Sequence, residues 1–166
     1  MRYAQVFPGQ GSQFVGMGKD LFDQYSEAKK HFLEANKILG FKITEIMFEG
    51  SQKELTETNI AQPAIFIHSI IKSRLVKKKG EIIGVAGHSL GEFSALVASN
   101  SISFQDGLKL VNIRAKEMRK ACEENPGTMA AVIGLENESV ENCCSKIKEI
   151  VVPANYNCPR QIVVSG

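Results

Sequence analysis

Ser89 lies in the stretch Gly87-His88-Ser89-Leu90-Gly91-Glu92, which fits the pattern Gly-x-Ser-x-Gly. A serine hydroxyl attacks carbonyl carbon well only when a turn exposes it and amide hydrogens stand ready for the oxyanion it creates. The pattern supplies both when a strand enters it and a helix leaves it. Its two glycines permit a turn too tight for side chains, and the helix N-terminus offers unpaired N–H groups. Ser89 is the candidate nucleophile of an acyl transfer or ester hydrolysis. An inert serine in a glycine-rich turn fits the bare pattern equally well, and the flanking elements favour the nucleophile. His88 adjoins it, but neighbours in a sharp turn point apart, so His88 is poorly placed as general base. His31 and His68 fall within helical stretches. His68 shares a stripe with Ala64, Ile67, Ile71 and Leu75, which suits a satisfied core histidine.

Arg114 is the second anomaly. At ~100° per residue it shares a helix face with Gly107, Leu110, Val111 and Met118, while Lys109, Lys116 and Lys120 gather opposite. A guanidinium inside an apolar stripe needs a partner. That partner is either an internal carboxylate or backbone carbonyls, or an anionic ligand gripped bidentately. Helix geometry alone favours the internal partner. The loop Pro8-Gly9-Gln10-Gly11-Ser12-Gln13 follows the first strand-like run. It is no dinucleotide fingerprint, because Phe14 takes the third glycine position, and no P-loop, because Met17 and Gly18 stand where Lys and Ser/Thr belong. Beside a serine elbow such a loop can donate a second oxyanion amide, and the Gln10 N–H is the candidate.

The elements that must position these residues follow from periodicity. Tyr3–Phe7 reads as a strand. Leu21, Phe22, Tyr25, Ala28, Phe32, Ala35 and Leu39 form one helical stripe ended by Gly40. A second helix is expected from Gln62–Pro63, with proline in the first turn, to Lys79–Gly80. Ile82–Ala86 reads as a buried strand, Glu92–Ser99 as a helix, and Ser103 with Asp106 as the cap of a helix reaching about Ala121. This alternation predicts an α/β fold with a parallel sheet. After a linker at Glu123–Gly127 come a strand at Met129–Leu135, a helix at Glu138–Glu149, and strands at Ile150–Ala154 and Gln161–Val164.

The chain has 166 residues, 43% apolar and 23% charged, enough for one domain or a domain and a fragment. This composition excludes disorder, and no heptad pattern persists. No apolar run approaches the ~18–20 residues that cross a bilayer, and the start lacks the features of a signal peptide. A soluble, cytoplasmic protein is expected. Lys plus Arg is 20 against 18 Asp plus Glu. The only basic run, Lys77–Lys79, suits a solvated helix end, so neither nucleic acid nor membrane is expected as a partner. Cys122, Cys143, Cys144 and Cys158 include no Cys-x-x-Cys spacing and read as reduced thiols, with no metal.

Taken together, FPGQGSQ (Phe7–Gln13), QPA (Gln62–Ala64), GHSLGE (Gly87–Glu92) running into FSAL, and VNIRAKEM (Val111–Met118) resemble the malonyl-CoA:acyl-carrier-protein transacylases of fatty-acid synthesis. GTMAAVIGL (Gly127–Leu135) and NYNCPRQIVVSG (Asn155–Gly166) resemble that family's small ferredoxin-like subdomain. The resemblance implies an incomplete α/β-hydrolase-like acyltransferase core at 1–124 and the beginning of the small subdomain at 125–166. It implies that Ser89 accepts malonyl from malonyl-CoA and passes it to the phosphopantetheine thiol of acyl carrier protein, with no metal or redox cofactor. Arg114 would pair with the malonyl carboxylate, the amides of Gln10 and Leu90 would form the oxyanion hole, and Gln62 and His88 would line the pocket. In the family the base is a histidine after the small subdomain, which would fall beyond Gly166. The chain therefore resembles the N-terminal portion of the enzyme, free-standing and cytoplasmic or plastid. Two other readings stand beside it: a truncated, inactive chain, and a serine hydrolase of small esters.

Overall fold

The computed structural model describes residues 1–75 and 80–166, so the Lys77–Lys79 run lies outside the described residues. Two units result, Met1–Lys120 and Ala121–Gly166.

In the first unit β1 (Arg2–Phe7) pairs in parallel with β2 (Glu81–Gly87), as the alternation of elements predicts. The connection is long and helical: α1 (Lys19–Gln24), α2 (Ser26–Leu39), α3 (Ile43–Glu49), α4 (Gln52–Thr56) and α5 (Thr58–Leu75). After β2 come α6 (Gly91–Ala98) and α7 (Phe104–Glu124). The core joins Phe32 and Ala35 of α2, Ile43 and Met47 of α3, Leu55 of α4, most of the apolar residues of α5, and Leu108 and Val111 of α7.

Several expected boundaries move, each for a packing reason. The stripe expected as one helix is two, broken at Tyr25, which is extended (φ −124°, ψ 113°). The break lets Phe22 stand edge-on to Phe32 and Phe48, with ring centroids 5.9 and 5.3 Å away. Gly40 does end α2, with left-handed φ 77° and its N–H on Asn36 O. Helix α5 begins at Thr58 rather than at Gln62–Pro63, so Pro63 sits inside it. Proline removes one backbone donor there, and the near-complete burial of Ile60 to Ile71 outweighs that loss. The short helices α3 and α4 span too few residues for their periodicity to show in the sequence; Ser51 caps α4 by accepting from Glu54 N at 3.1 Å. Helix α7 runs past Ala121 to Glu124, and its expected cap is present: Ser103 Oγ accepts from Asp106 N at 3.0 Å and donates to Asp106 Oδ2 at 2.7 Å.

Strand β2 was expected to be buried, yet Ile83 is 54% exposed, and Val6 of β1 is 78% exposed. Among the described residues this parallel sheet has two strands, each an edge strand, which leaves apolar side chains of both exposed. The α7 stripe is also rotated. Its buried residues are Phe104, Gly107, Leu108, Val111 and Ala115, while Leu110 and Met118 are exposed. Gly107 sets that rotation, because a Cβ there would come 2.8 Å from Phe66 Cζ and Val97 Cγ2.

The second unit is an antiparallel sheet in the order β3-β5-β4: β3 (Met129–Ile133), β4 (Val152–Cys158) and β5 (Gln161–Ser165), with α8 (Asn137–Cys144) between β3 and β4. Helix α8 ends earlier than expected, and β4 begins and ends later. The β4–β5 hairpin turns at Pro159-Arg160, with Arg160 at φ 64°. Val140, Cys144 and Ile162 form its core. All four cysteines are free thiols.

Candidate functional site

Strand β2 runs into the Gly87–Gly91 turn and α6 leaves it, the order that the serine elbow requires. Both glycines are obligatory on steric grounds. A Cβ on Gly87 would overlap the Gly91 carbonyl and Glu92 N, and one on Gly91 would overlap the Phe7 carbonyl oxygen. Ser89 is held at φ 52°, a left-handed conformation that costs a non-glycine residue on the order of 1–3 kcal/mol. The surroundings over-determine it. His88 N donates to Phe7 O at 3.0 Å, Gly91 N to His88 O at 2.9 Å and Glu92 N to Ser89 O at 3.1 Å. Leu90, only 1% exposed, anchors the turn in the core. The result is an exposed serine on a rigid, buried support.

Arg114 reaches this serine from α7, with Nη2 donating to Ser89 Oγ at 2.9 Å. Its Nη1 donates to Gln62 Oε1 on α5 at 2.5 Å. The geometry of α7 alone favours a carboxylate or a backbone carbonyl as partner; among the described residues the guanidinium instead meets a side-chain amide and the candidate nucleophile. The ring of Phe93, four residues past Ser89 on α6, lies 6.0 Å from Arg114 Cζ. Gln62 is fully buried and completes its hydrogen bonding by donating Nε2 to Met118 Sδ at 3.3 Å.

The loop after β1 lies against the elbow. A Cβ on Gly9 would come 2.8 Å from both His88 Nδ1 and His88 O. The His88 ring therefore sits beside Gly9, and Ser12 Oγ donates to Gly9 O at 3.0 Å to close the loop. Gln10 is exposed and donates its side-chain amide to Thr58 Oγ1 at 3.3 Å, tying the loop to the start of α5. Leu90 occupies the N-cap position of α6. Ser89, Arg114 and Gln62 thus form one hydrogen-bonded set, with His88 and Gln10 on the adjoining loop face. Phe93 and Met118 are the partners that sequence reasoning missed. Met118 was on the Arg114 stripe but read as packing, and Phe93 carried no signal beyond its helix turn. Among the described residues no cluster of three His, Cys, Asp or Glu side chains could hold a metal ion, and no helix is long and apolar enough to cross a membrane.

The set offers an exposed serine hydroxyl as candidate nucleophile, a hydrogen-bonded cation beside it and a helix N-terminus. That combination suits acyl transfer from a group that carries an anion. Residues 4–166 match the model of the acyl transferase domain family. The malonyl CoA-acyl carrier protein transacylase of Bacillus subtilis is 44% identical over 169 residues, 99% of this chain and 53% of the relative. That of Haemophilus influenzae is 41% identical over 172 residues, 99% of this chain and 54% of the relative. Among solved structures, a malonyl-transacylase in complex with its type II PKS acyl-carrier protein superposes with TM-score 0.90 at 39% identity, covering 100% of this chain and 55% of its own. MCAT from Streptococcus pneumoniae superposes with TM-score 0.89 at 40% identity, over 100% and 55%. The chain spans about half the length of the curated relatives it matches. By its motifs, its elbow and its match from residue 4 to residue 166, the chain belongs to the acyl transferase domain family.

Proposed function

We propose that the protein carrying this sequence moves a malonyl group from malonyl-CoA to the phosphopantetheine thiol of acyl carrier protein, in the fatty-acid synthesis of a cytoplasm or plastid. One observation carries the reading: the Arg114 guanidinium stands 2.9 Å from Ser89 Oγ, where it can take the free carboxylate of an acyl group bonded at that oxygen. Ser89 Oγ attacks the thioester carbon and gives its proton to a general base. The oxyanion is received by the amides of Gln10 and Leu90, the C–S bond breaks, and the CoA thiolate takes the proton. The pantetheine thiol then attacks the serine ester by the same steps in reverse and restores the hydroxyl. Malonyl-CoA and the carrier thioester are substrates, and no metal or redox cofactor has a part.

Among the described residues Ser89 Oγ has Arg114 as its one hydrogen-bond partner, and a guanidinium cannot accept a proton. The family's base is a histidine beyond the portion that this chain spans. This favours a second statement about the 166 residues alone: they hold nucleophile and clamp but turn over slowly, since losing one triad member costs on the order of 10⁴–10⁶. A neutral-ester hydrolase fits the elbow but leaves Arg114 without a task.

Trapping of radiolabelled malonyl ester on the full-length protein tests the proposal. Ser89→Ala should abolish the label, and Arg114→Ala should erase the preference for malonyl-CoA over acetyl-CoA. Undiminished label in the first variant would falsify the covalent mechanism, and unchanged selectivity in the second removes the clamp.

A further inference from the structure

Gln62 lies on α5 among Ala61, Pro63 and Ala64, and none of its surface is exposed (0%). An amide stripped of water there is costly unless both ends are satisfied, and a leucine would serve the packing alone at lower cost. Both ends are satisfied, by two residues one turn apart on α7. Oε1 accepts from Arg114 Nη1 at 2.5 Å, and Nε2 donates to Met118 Sδ at 3.3 Å. The chemistry of the partners dictates the amide's direction. A guanidinium has only donors, so the oxygen must face it, and a thioether has only an acceptor, so the nitrogen faces the sulfur. With Nη1 fixed by Gln62, the other terminal nitrogen of Arg114 comes to rest on Ser89 Oγ, and the Phe93 ring flanks the guanidinium.

We infer that Gln62 is a positioning residue that fixes the Arg114 guanidinium beside Ser89, and that Met118 holds the Gln62 amide in the orientation that does so. The inference rests on the malonyl-transfer reading and deepens it: selection for an acyl group with a free carboxylate belongs to the Gln62–Arg114–Met118 set, not to Arg114 alone. A neutral amide is the fitting choice at position 62. A carboxylate would orient the guanidinium equally well, but would also spend the positive charge meant for the substrate. With no acceptor at all, the long arginine side chain would lose its rotamer freedom only on binding, which weakens affinity.

The test is steady-state transfer by the full-length protein from malonyl-CoA and from acetyl-CoA. Gln62→Leu should raise KM for malonyl-CoA roughly tenfold with a smaller change in kcat, and should move acetyl transfer by less than about twofold. Gln62→Glu keeps the acceptor and should still lose most of the malonyl preference. Added to Arg114→Ala, Gln62→Leu should change malonyl transfer by less than about twofold, since it acts through the arginine. Should Gln62→Leu not fold, Met118→Leu, at a position 40% exposed, should give the same KM-dominated pattern at roughly threefold. A malonyl-to-acetyl ratio unchanged in the position-62 variants, or effects that multiply independently with Arg114→Ala, overturn the inference. The two levels separate cleanly. If Arg114→Ala keeps the malonyl preference, the clamp itself fails. If Arg114→Ala loses it while Gln62→Leu and Met118→Leu keep it, the positioning role alone fails.

Discussion

Within Met1–Lys120, Phe32, Phe66, Ile67 and Leu108 have no exposed surface (0%), and they belong to one cluster built from the helices α2 to α7 and the elbow residue Leu90. Within Ala121–Gly166 the corresponding cluster is Val140, Cys144 and Ile162, while Ile133 and Ile150 are 72% and 83% exposed. The first unit can hold a non-glycine residue at φ 52° because packing and hydrogen bonds on every side of Ser89 oppose its relaxation. The second has no such reserve, and its one positive-φ non-glycine residue, Arg160, sits in a hairpin turn where that conformation is ordinary. Strain of use to chemistry is found where burial is deep enough to sustain it.

Removing core volume from each unit tests the contrast most severely. Phe66→Ala should cost about 3–5 kcal/mol and melt the first unit as a whole, because the ring also fills the space over Gly107 and stacks on Phe104. Ile162→Ala should cost about 2–4 kcal/mol and strip amide protection from β3, β4 and β5, leaving β1 and β2 as protected as before. Native-state hydrogen exchange on both variants reads this directly. Equal loss of protection in both units from either change would show that the distinction between them has no energetic meaning.

A smaller effect sharpens the comparison inside the first unit. Ser103→Ala removes the reciprocal cap of α7 and should cost about 1 kcal/mol in denaturant unfolding, without altering the packing around Gly107. A loss several times larger would mean that the cap, and not the core, positions the helix that carries Arg114.

The smallest effect is electrostatic. His68 packs near Phe14 and Gly18, and burial lowers its pKa from the ordinary 6.5; the Lys72 charge adds to that and Asp20 opposes it. The folded state then binds fewer protons than the unfolded chain below pH 6.5. Stability is full above that pH and declines as the pH falls from 6.5 toward the lowered value. His68→Phe should flatten this dependence in thermal unfolding followed across that window. An unchanged slope assigns the pH dependence to other groups.

The elbow was legible because its requirements are local. Two glycines, a serine, an incoming strand and an outgoing helix all lie between Glu81 and Ala98, and sterics leave one way to connect them. The α7 cap was legible for the same reason, within Ser103 and Asp106. The α1–α2 break at Tyr25, the early start of α5 and the rotation of α7 were not. Each depends on a neighbour distant in sequence: Phe48 against Phe22, the core around Pro63, and Phe66 against Gly107. Met118 was seen on the right helix face and assigned to packing, because nothing in its own segment shows that a buried glutamine approaches its sulfur.

By itself the sequence determined the serine elbow, an arginine within an apolar helix stripe and the order of the elements between them, since glycine sterics, helical period and charge act over a few residues. Only the tertiary structure decided what the cation touches. Gln62, Ser89 and Arg114 come from α5, the elbow and α7, and a 2.5 Å and a 2.9 Å hydrogen bond among them exist only once the helices have packed. Helical periodicity sets the direction of a side chain from its own axis to within a face. The partner on another axis is set by the core volumes between them, which no local pattern encodes.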